Sequence, residues 1–187
     1  MTILVFDCEA DGFLEEVENI WCISGTVLHI GGEQEKLRSI TPEEMTKDRI
    51  MEFFGHCDVI VCHNMLKYDV PLIQKMFGFD IRKGRVLLDT LVMSKLANPD
   101  RRLPTGCPTS IHNHVTGRGQ AVRPHGLEAW GYRMGLRKLQ VDDWRTYTPE
   151  MVERCEGDVE INVKVFRMLT KEMRLEEYEQ YFTRSDR

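Results

Sequence analysis

The chain opens on an apolar run that drives straight into two carboxylates. Residues 2–8 read T-I-L-V-F-D-C, and Glu9 follows. So short and apolar a run reads as a buried strand. Side chains at i and i+2 of a strand point to the same face, so Asp7 and Glu9 form a pair. Two carboxylates side by side repel each other unless a cation lies between them. Such a strand therefore ends in one of two ways: its acids face a metal ion, or they mark the point where the strand frays into a turn. Asp11-Gly12 fits the turn. Taken alone, D-x-E leaves both open.

The rest of the chain alternates strands with helices. Residues 19–28 and 35–40 read as further strands, 58–62 as a short buried strand, and 85–88 as another. Thr41-Pro42-Glu43-Glu44 carries the cap, the first-turn proline and the acids of a helix start, which predicts a helix to about His56. Helices are also expected over 68–77, 89–97 and 125–135, and over about 25 residues from Pro149. Strands that come first and then alternate with helices give an α/β class with a mixed sheet. Residues 98–124 show no regular period and contain Pro99, Pro104, Pro108 and Pro124. From Arg101 to Leu127 there is no acid, and Arg101, Arg102, Arg118 and Arg123 make the segment basic. It reads as a long loop. The tail, 174–187, is highly charged.

Composition narrows the class. A length of 187 residues fits one domain spanning 1–187. No stretch approaches 18 consecutive apolar residues, which excludes a transmembrane helix. The N-terminus has no basic n-region of a secretory signal. Six scattered cysteines form no C-x-x-C pair and read as reduced thiols in the cytoplasm. His56-Cys57 and Cys62-His63 fit no common zinc frame. The net charge of −5 argues against passive coating of nucleic acid. It leaves room for an enzyme that gathers carboxylates around metal ions.

Two further acids stand out. Asp69 follows the 58–62 strand in H-N-M-L-K-Y-D-V-P, and Asp158 lies in the last helix in C-E-G-D-V-E-I-N-V. Singly, Asp69 reads as a helix N-terminal acid favoured by the dipole, and Asp158 as a salt-bridge partner beside an apolar stripe. In combination, D-x-E on the first strand, Asp69 before a helix and Asp158 in a late helix resemble the DEDD 3′→5′ exonucleases of the ribonuclease-H-like superfamily. The segments H-N-M-L-K-Y-D-V-P (63–71), L-D-T-L-V-M-S-K-L (88–96) and H-G-L-E-A-W-G-Y-R-M-G (125–135) resemble the proofreading domain of phage family-A replicative DNA polymerases. The likeness runs from about residue 3 to 170 and leaves no room for a polymerase palm or fingers. The start at Met1 fits a separately encoded exonuclease, acting in the host cytoplasm if the source is a phage.

The resemblance implies a ribonuclease-H-like mixed sheet of about five strands flanked by helices. It implies a phosphodiester hydrolase that shortens single-stranded DNA from 3′ ends and releases nucleoside 5′-monophosphates, with a separate DNA polymerase as partner. It also implies two divalent cations, Mg²⁺ or Mn²⁺, on oxygen ligands. Asp7, Glu9 and Asp158 would hold one ion, with Asp7 bridging to a second held by Asp69. Ala10, Asp11 and Gly12 would lie near the 3′ hydroxyl, and His63 and Asn64 would place the terminal nucleotide. Arg101, Arg102, Arg118 and Arg123 would guide the strand. Trp130 and Tyr132, at helical spacing, read as packing residues.

One position departs from the family. Most members carry a Tyr four residues, or a His five residues, before the last Asp, and that group orients the attacking water. Here Arg154 and Glu153 stand there. Arg154 cannot act as a base; it would contact the scissile phosphate or pair with Asp158. Three alternatives stand: the metals activate water alone, Glu153 or Tyr147 substitutes, or the chain is a weak enzyme that mainly binds primer ends or a polymerase. An RNA exonuclease of the same superfamily is the other reading.

Overall fold

In the computed structural model, residues 1–29, 33–55, 57–113 and 118–175 are described, with 112, 113 and 118 described in backbone only. Five strands form one mixed sheet in the order β3-β2-β1-β4-β5. The strands are β1 (Thr2–Ala10), β2 (Ile20–His29), β3 (Arg38–Ile40), β4 (Val59–Cys62) and β5 (Val86–Asp89). β2 runs antiparallel to β1, and β4 and β5 run parallel to it. The C-terminal ends of β1, β4 and β5 therefore share one edge of the sheet, where parallel sheets present their ligand sites.

Helices cover both faces. On one side, α1 (Lys47–Phe54) and α2 (Asp69–Phe77) pack onto Leu4, Phe6, Cys8 and Ile60. On the other, α3 (Thr90–Ala97), α4 (Leu127–Met134) and α5 (Pro149–Glu172) cover Val5, Val59 and Val61. The period-2 alternation of β1 thus decides where its acids go. Leu4, Phe6, Cys8 and Ala10 face the α1–α2 layer. Val5, and with it Asp7 and Glu9, faces the α5 layer. α5 buries Met151, Cys155, Asp158, Asn162, Val165 and Leu169, a stripe with steps of three and four residues. Asp158 is within that stripe, aimed at the sheet.

The structure corrects two expectations. No helix starts at Thr41: Pro42–Glu44 form a single 3₁₀ turn, and Thr41 makes no side-chain cap. α1 begins instead after Thr46, whose hydroxyl accepts from the Arg49 N–H. Thr-Pro starts a turn, but only a cap bonded to a free helix N–H sustains a helix. The 98–124 segment is also not all loop. Ser110–Asn113 and Arg118–Ala121 pair antiparallel as β6 and β7. This hairpin is held by backbone bonds between largely polar residues, so it shows no apolar alternation. The segment over 174–187 lies, beyond Leu175, outside the described residues, as does His56. Trp130 is fully buried, clamped between the guanidinium groups of Arg101 at 4.6 Å and Arg133 at 4.8 Å, which is the packing role expected of it.

Candidate active site

The four acids meet at the C-terminal edge of the sheet. Ligand atoms of Asp7, Glu9 and Asp158 lie within 4.8 Å of one another, and so do those of Asp7, Cys62 and Asp69. Asp7 belongs to both groups. Each acid arrives on a different support. Asp7 and Glu9 come from the end of β1, whose register shifts at Glu9/Ala10. Asp158 comes from α5, where the Cys155 thiol one turn earlier donates to the Asp7 carbonyl. Asp69 opens α2 from the opposite layer, close to Cys62, whose thiol is 4.0 Å from Asp7 Oδ1.

Crowding these acids away from water costs their charged forms. Burial, then the neighbouring Asp158, Glu9 and Asp69 charges, push the Asp7 carboxyl well above its usual range. Burial raises Glu9 to about 7, against the opposing pull of Arg154. Burial raises Asp69 to about 6, against the opposing pull of the Cys62 thiol. Such acids are poised to exchange protons for metal cations. The donor set fits a divalent ion by a second observation: Asp158 Oδ1 is buried and without a hydrogen-bond partner. Its other oxygen is 2.5 Å from Lys138 Nζ. Arg154 Nε is 2.9 Å from Glu9 Oε1, so Arg154 pairs with Glu9 and leaves Asp158 to Lys138.

Lys138 carried no sequence motif. Its signal lies in a turn: α4 ends at Gly135 with φ +69°, and Leu136 N–H returns to the Gly131 carbonyl. This glycine-ended cap turns the chain sharply, and the segment that leaves it brings Lys138 to Asp158. Of the substitutes expected for the missing water-orienting residue, Glu153 is exposed and Tyr147 packs with Cys22 and Met151.

The loops before α2 and α3 are tied together by one residue the sequence did not single out. Buried Asp89 caps α3 by accepting from the Leu91 and Val92 N–H groups. It also accepts from Asn64 at 2.9 Å and Leu66 at 3.2 Å. Asn64 sits at φ 65°, a conformation asparagine tolerates. Asp89→Ala leaves several of these donors unpaired and is expected to lose about 3 kcal/mol in urea unfolding, with Asp89→Asn recovering part of it. A loss below about 0.5 kcal/mol, the range of ordinary surface changes, would refute that role.

His63 Nδ1 is 2.9 Å from the Thr90 hydroxyl, which in turn reaches Asn162 Oδ1 at 2.7 Å. Burial, then Lys138 and His125, lower its pKa to about 3, so its ring is neutral. Asp11 holds the following turn through Glu18 N–H and the Asn19 amide. The Gly12 carbonyl accepts from Tyr68 at 2.6 Å, and Ala10 is buried. These three residues therefore link the end of β1 to the approach to Asp69.

A groove of about 820 Å³ opens between α3, the β6–β7 hairpin and the segment after α4; none of the four acids lines it, and Lys138 and Arg154 connect it to Asp158 and Glu9. Lys67, Lys95, Arg123, Lys138 and Arg154 line it with His63 and Asn64, against one acid, Glu128. Arg123 is thus where the basic loop meets the groove. Arg102 is exposed, and the Arg118 side chain lies outside the described residues. Arg101 is only 9% exposed in its side chain and is held by Glu172 at 2.8 Å.

Comparison with known proteins gives a family and a fold. A family model described as RNase_H superfamily matches residues 4–101. The DNA-directed DNA polymerase of Enterobacteria phage T3 is 30% identical over 162 residues, and that of Escherichia phage T7 is 29% identical over 161. Both alignments cover 81% of this chain and 22% of the polymerase, so the chain spans under a quarter of these relatives' length. Among solved structures, E. coli exonuclease I in complex with a dT13 oligonucleotide aligns with a TM-score of 0.59 at 15% identity, covering 95% of this chain and 43% of that one. Its zinc-bound complex with single-stranded DNA aligns with a TM-score of 0.58 at 13% identity, covering 97% and 43%. These likenesses establish the fold. Among the described residues no helix is long and apolar enough to cross a membrane.

Proposed function

The chain belongs to the RNase H superfamily, and from that premise we propose that it is a metal-dependent 3′→5′ exonuclease of the DEDD type acting on single-stranded DNA. The observation that carries this reading is Asp7 standing in two donor groups at once, in a cluster joined through Lys138 and Arg154 to a basic groove. Asp7, Glu9 and Asp158 would hold one divalent ion, and Asp7 with Asp69 would hold a second. When bound, two such ions stabilise the attacking and leaving oxygens and lower the pKa of the attacking water. Carboxylate donors favour Mg²⁺ or Mn²⁺.

The protein's own groups supply position and charge. Lys67, Lys95 and Arg123 attract the phosphate backbone into the groove. Neutral His63 and Asn64, which line the groove, orient the terminal nucleotide. The turn at Ala10, Asp11 and Gly12 closes the other side of the 3′ end. Arg102, exposed, is assigned to the same basic track. Arg101, held by Glu172 and stacked on Trp130, braces the loop. Likeness to phage polymerases over 81% of the chain supports a role in phage DNA replication, beside a polymerase.

Incubation of a 5′-labelled single strand with Mg²⁺ or Mn²⁺ should give a ladder shortened from the 3′ end. Preference for a matched RNA would transfer the reading to an RNA exonuclease, and binding without turnover to an accessory that holds primer ends. Arg123→Ala is expected to weaken strand binding and lower the salt slope by about 0.7, the share of one phosphate contact on a single strand. An unchanged slope, measured by fluorescence anisotropy, would remove Arg123 from the track.

A further inference from the structure

Lys138 belongs to two places at once. Its Nζ is 2.5 Å from Asp158 Oδ2, with side chains only 14% and 4% exposed. The same side chain lines the groove, together with Lys67, Lys95 and Arg123. A divalent ion on Asp158 and the Lys138 ammonium draw on one buried carboxylate. They cannot both hold it at full strength, because two cations at that distance repel in a site shielded from water.

The two cations at the acids differ in freedom. Arg154 is fixed on several sides: by Glu9, by the Leu139 carbonyl, and by the Trp144 ring 5.3 Å away. Lys138 is a compact charge on a flexible four-carbon stem. Its backbone follows the glycine-ended cap of α4, so rotamer changes of the side chain alone can carry the ammonium from Asp158 into the groove.

Resting on the metal-dependent reading above, we propose that Lys138 is a phosphate-binding residue held in reserve by Asp158. A divalent ion that takes the carboxylate frees the ammonium, which then pairs with a backbone phosphate of the strand in the groove. Metal binding and strand binding are thereby coupled through one side chain. By linkage each strengthens the other by the same factor. The device delivers a cation to the substrate only when the site is ready for chemistry.

The test uses the whole chain, Mn²⁺, and an oligonucleotide with a non-hydrolysable 3′-terminal linkage. Without DNA, Lys138→Gln should bind Mn²⁺ about tenfold more tightly by calorimetry, a coupling in the usual range. With Mn²⁺, the same variant should lose about 0.7 from the salt slope of strand binding. In EDTA its slope should match that of the wild type. Lys138→Arg, which keeps the charge, should stay near wild type in all three measurements and shows that position 138 tolerates change. Equal weakening of strand binding with and without Mn²⁺ would mean that Lys138 faces phosphate permanently, and would overturn the proposal. So would an unchanged Mn²⁺ affinity in Lys138→Gln. If the wild type itself shows no Mn²⁺ binding that Asp7→Ala removes, the metal-dependent reading fails and takes this proposal with it. Intact wild-type binding with an indifferent Lys138→Gln removes the proposal alone.

Discussion

Asp7→Ala is expected to cut hydrolysis of a single strand by about 10³-fold or more, the scale of losing one member of a group that acts as a unit. It should also abolish most Mn²⁺ binding in calorimetry. The reason is geometric. Asp7 is the residue common to both donor groups, so its removal opens both. Its place on central strand β1, between β2 and β4, gives it neighbours that cannot shift to replace it. Because the substitution also relieves repulsion among buried acids, the variant should melt no lower than the wild type. Lost activity with preserved folding is therefore the expected pair of results. A variant keeping more than a tenth of the wild-type rate would show that the acids do not act together.

The second large effect is a metal-induced rise in melting temperature that depends on pH. Glu9 is raised from its ordinary 4.5 to about 7, and Asp69 from 3.8 to about 6. The folded chain thus holds more protons at these sites than the unfolded chain does between pH about 4 and 7. Their contribution to stability is complete below the unfolded values and is lost as pH rises through the folded ones. As pH rises through these values Glu9 and Asp69 give up their protons, and divalent ions bind the site more tightly. At pH 7.5, with ion at about a hundred times its dissociation constant, the gain is about 2.7 kcal/mol. For a chain of this size that raises the melting temperature by about 5–10 °C. At pH 5, protons occupy the site, and the shift should fall below about 2 °C. Thermal melts with and without Mn²⁺ at the two pH values decide the matter; equal shifts would contradict the linkage.

The sequence was informative wherever a local rule acts alone. The apolar run of β1 and the proline-led start of α5 both announce elements that the structure contains. Local rules failed where two competed. Thr41-Pro42 carried the marks of a helix start, yet the bonded cap was Thr46, five residues on. The β6–β7 hairpin was hidden because its strands are polar and short. Arg154 showed the same limit. One helical turn from Asp158, it read as a contact for the scissile phosphate or a partner for that acid, and the sheet offered it Glu9 as its ion-pair partner.

By itself the sequence determined which face of β1 bears the acids, since alternation along a strand follows from backbone geometry. It also placed Asp158 beside the apolar stripe of its helix, since helical periodicity is equally local; its burial within the stripe came from packing. The tertiary structure decided what those acids meet. Asp69 reaches Asp7 only because α2 packs on the opposite layer and starts at the same sheet edge. Lys138 reaches Asp158 only because α4 ends on Gly135 and the chain turns back. Contacts between residues far apart in sequence depend on how layers pack, and no local spacing encodes that distance.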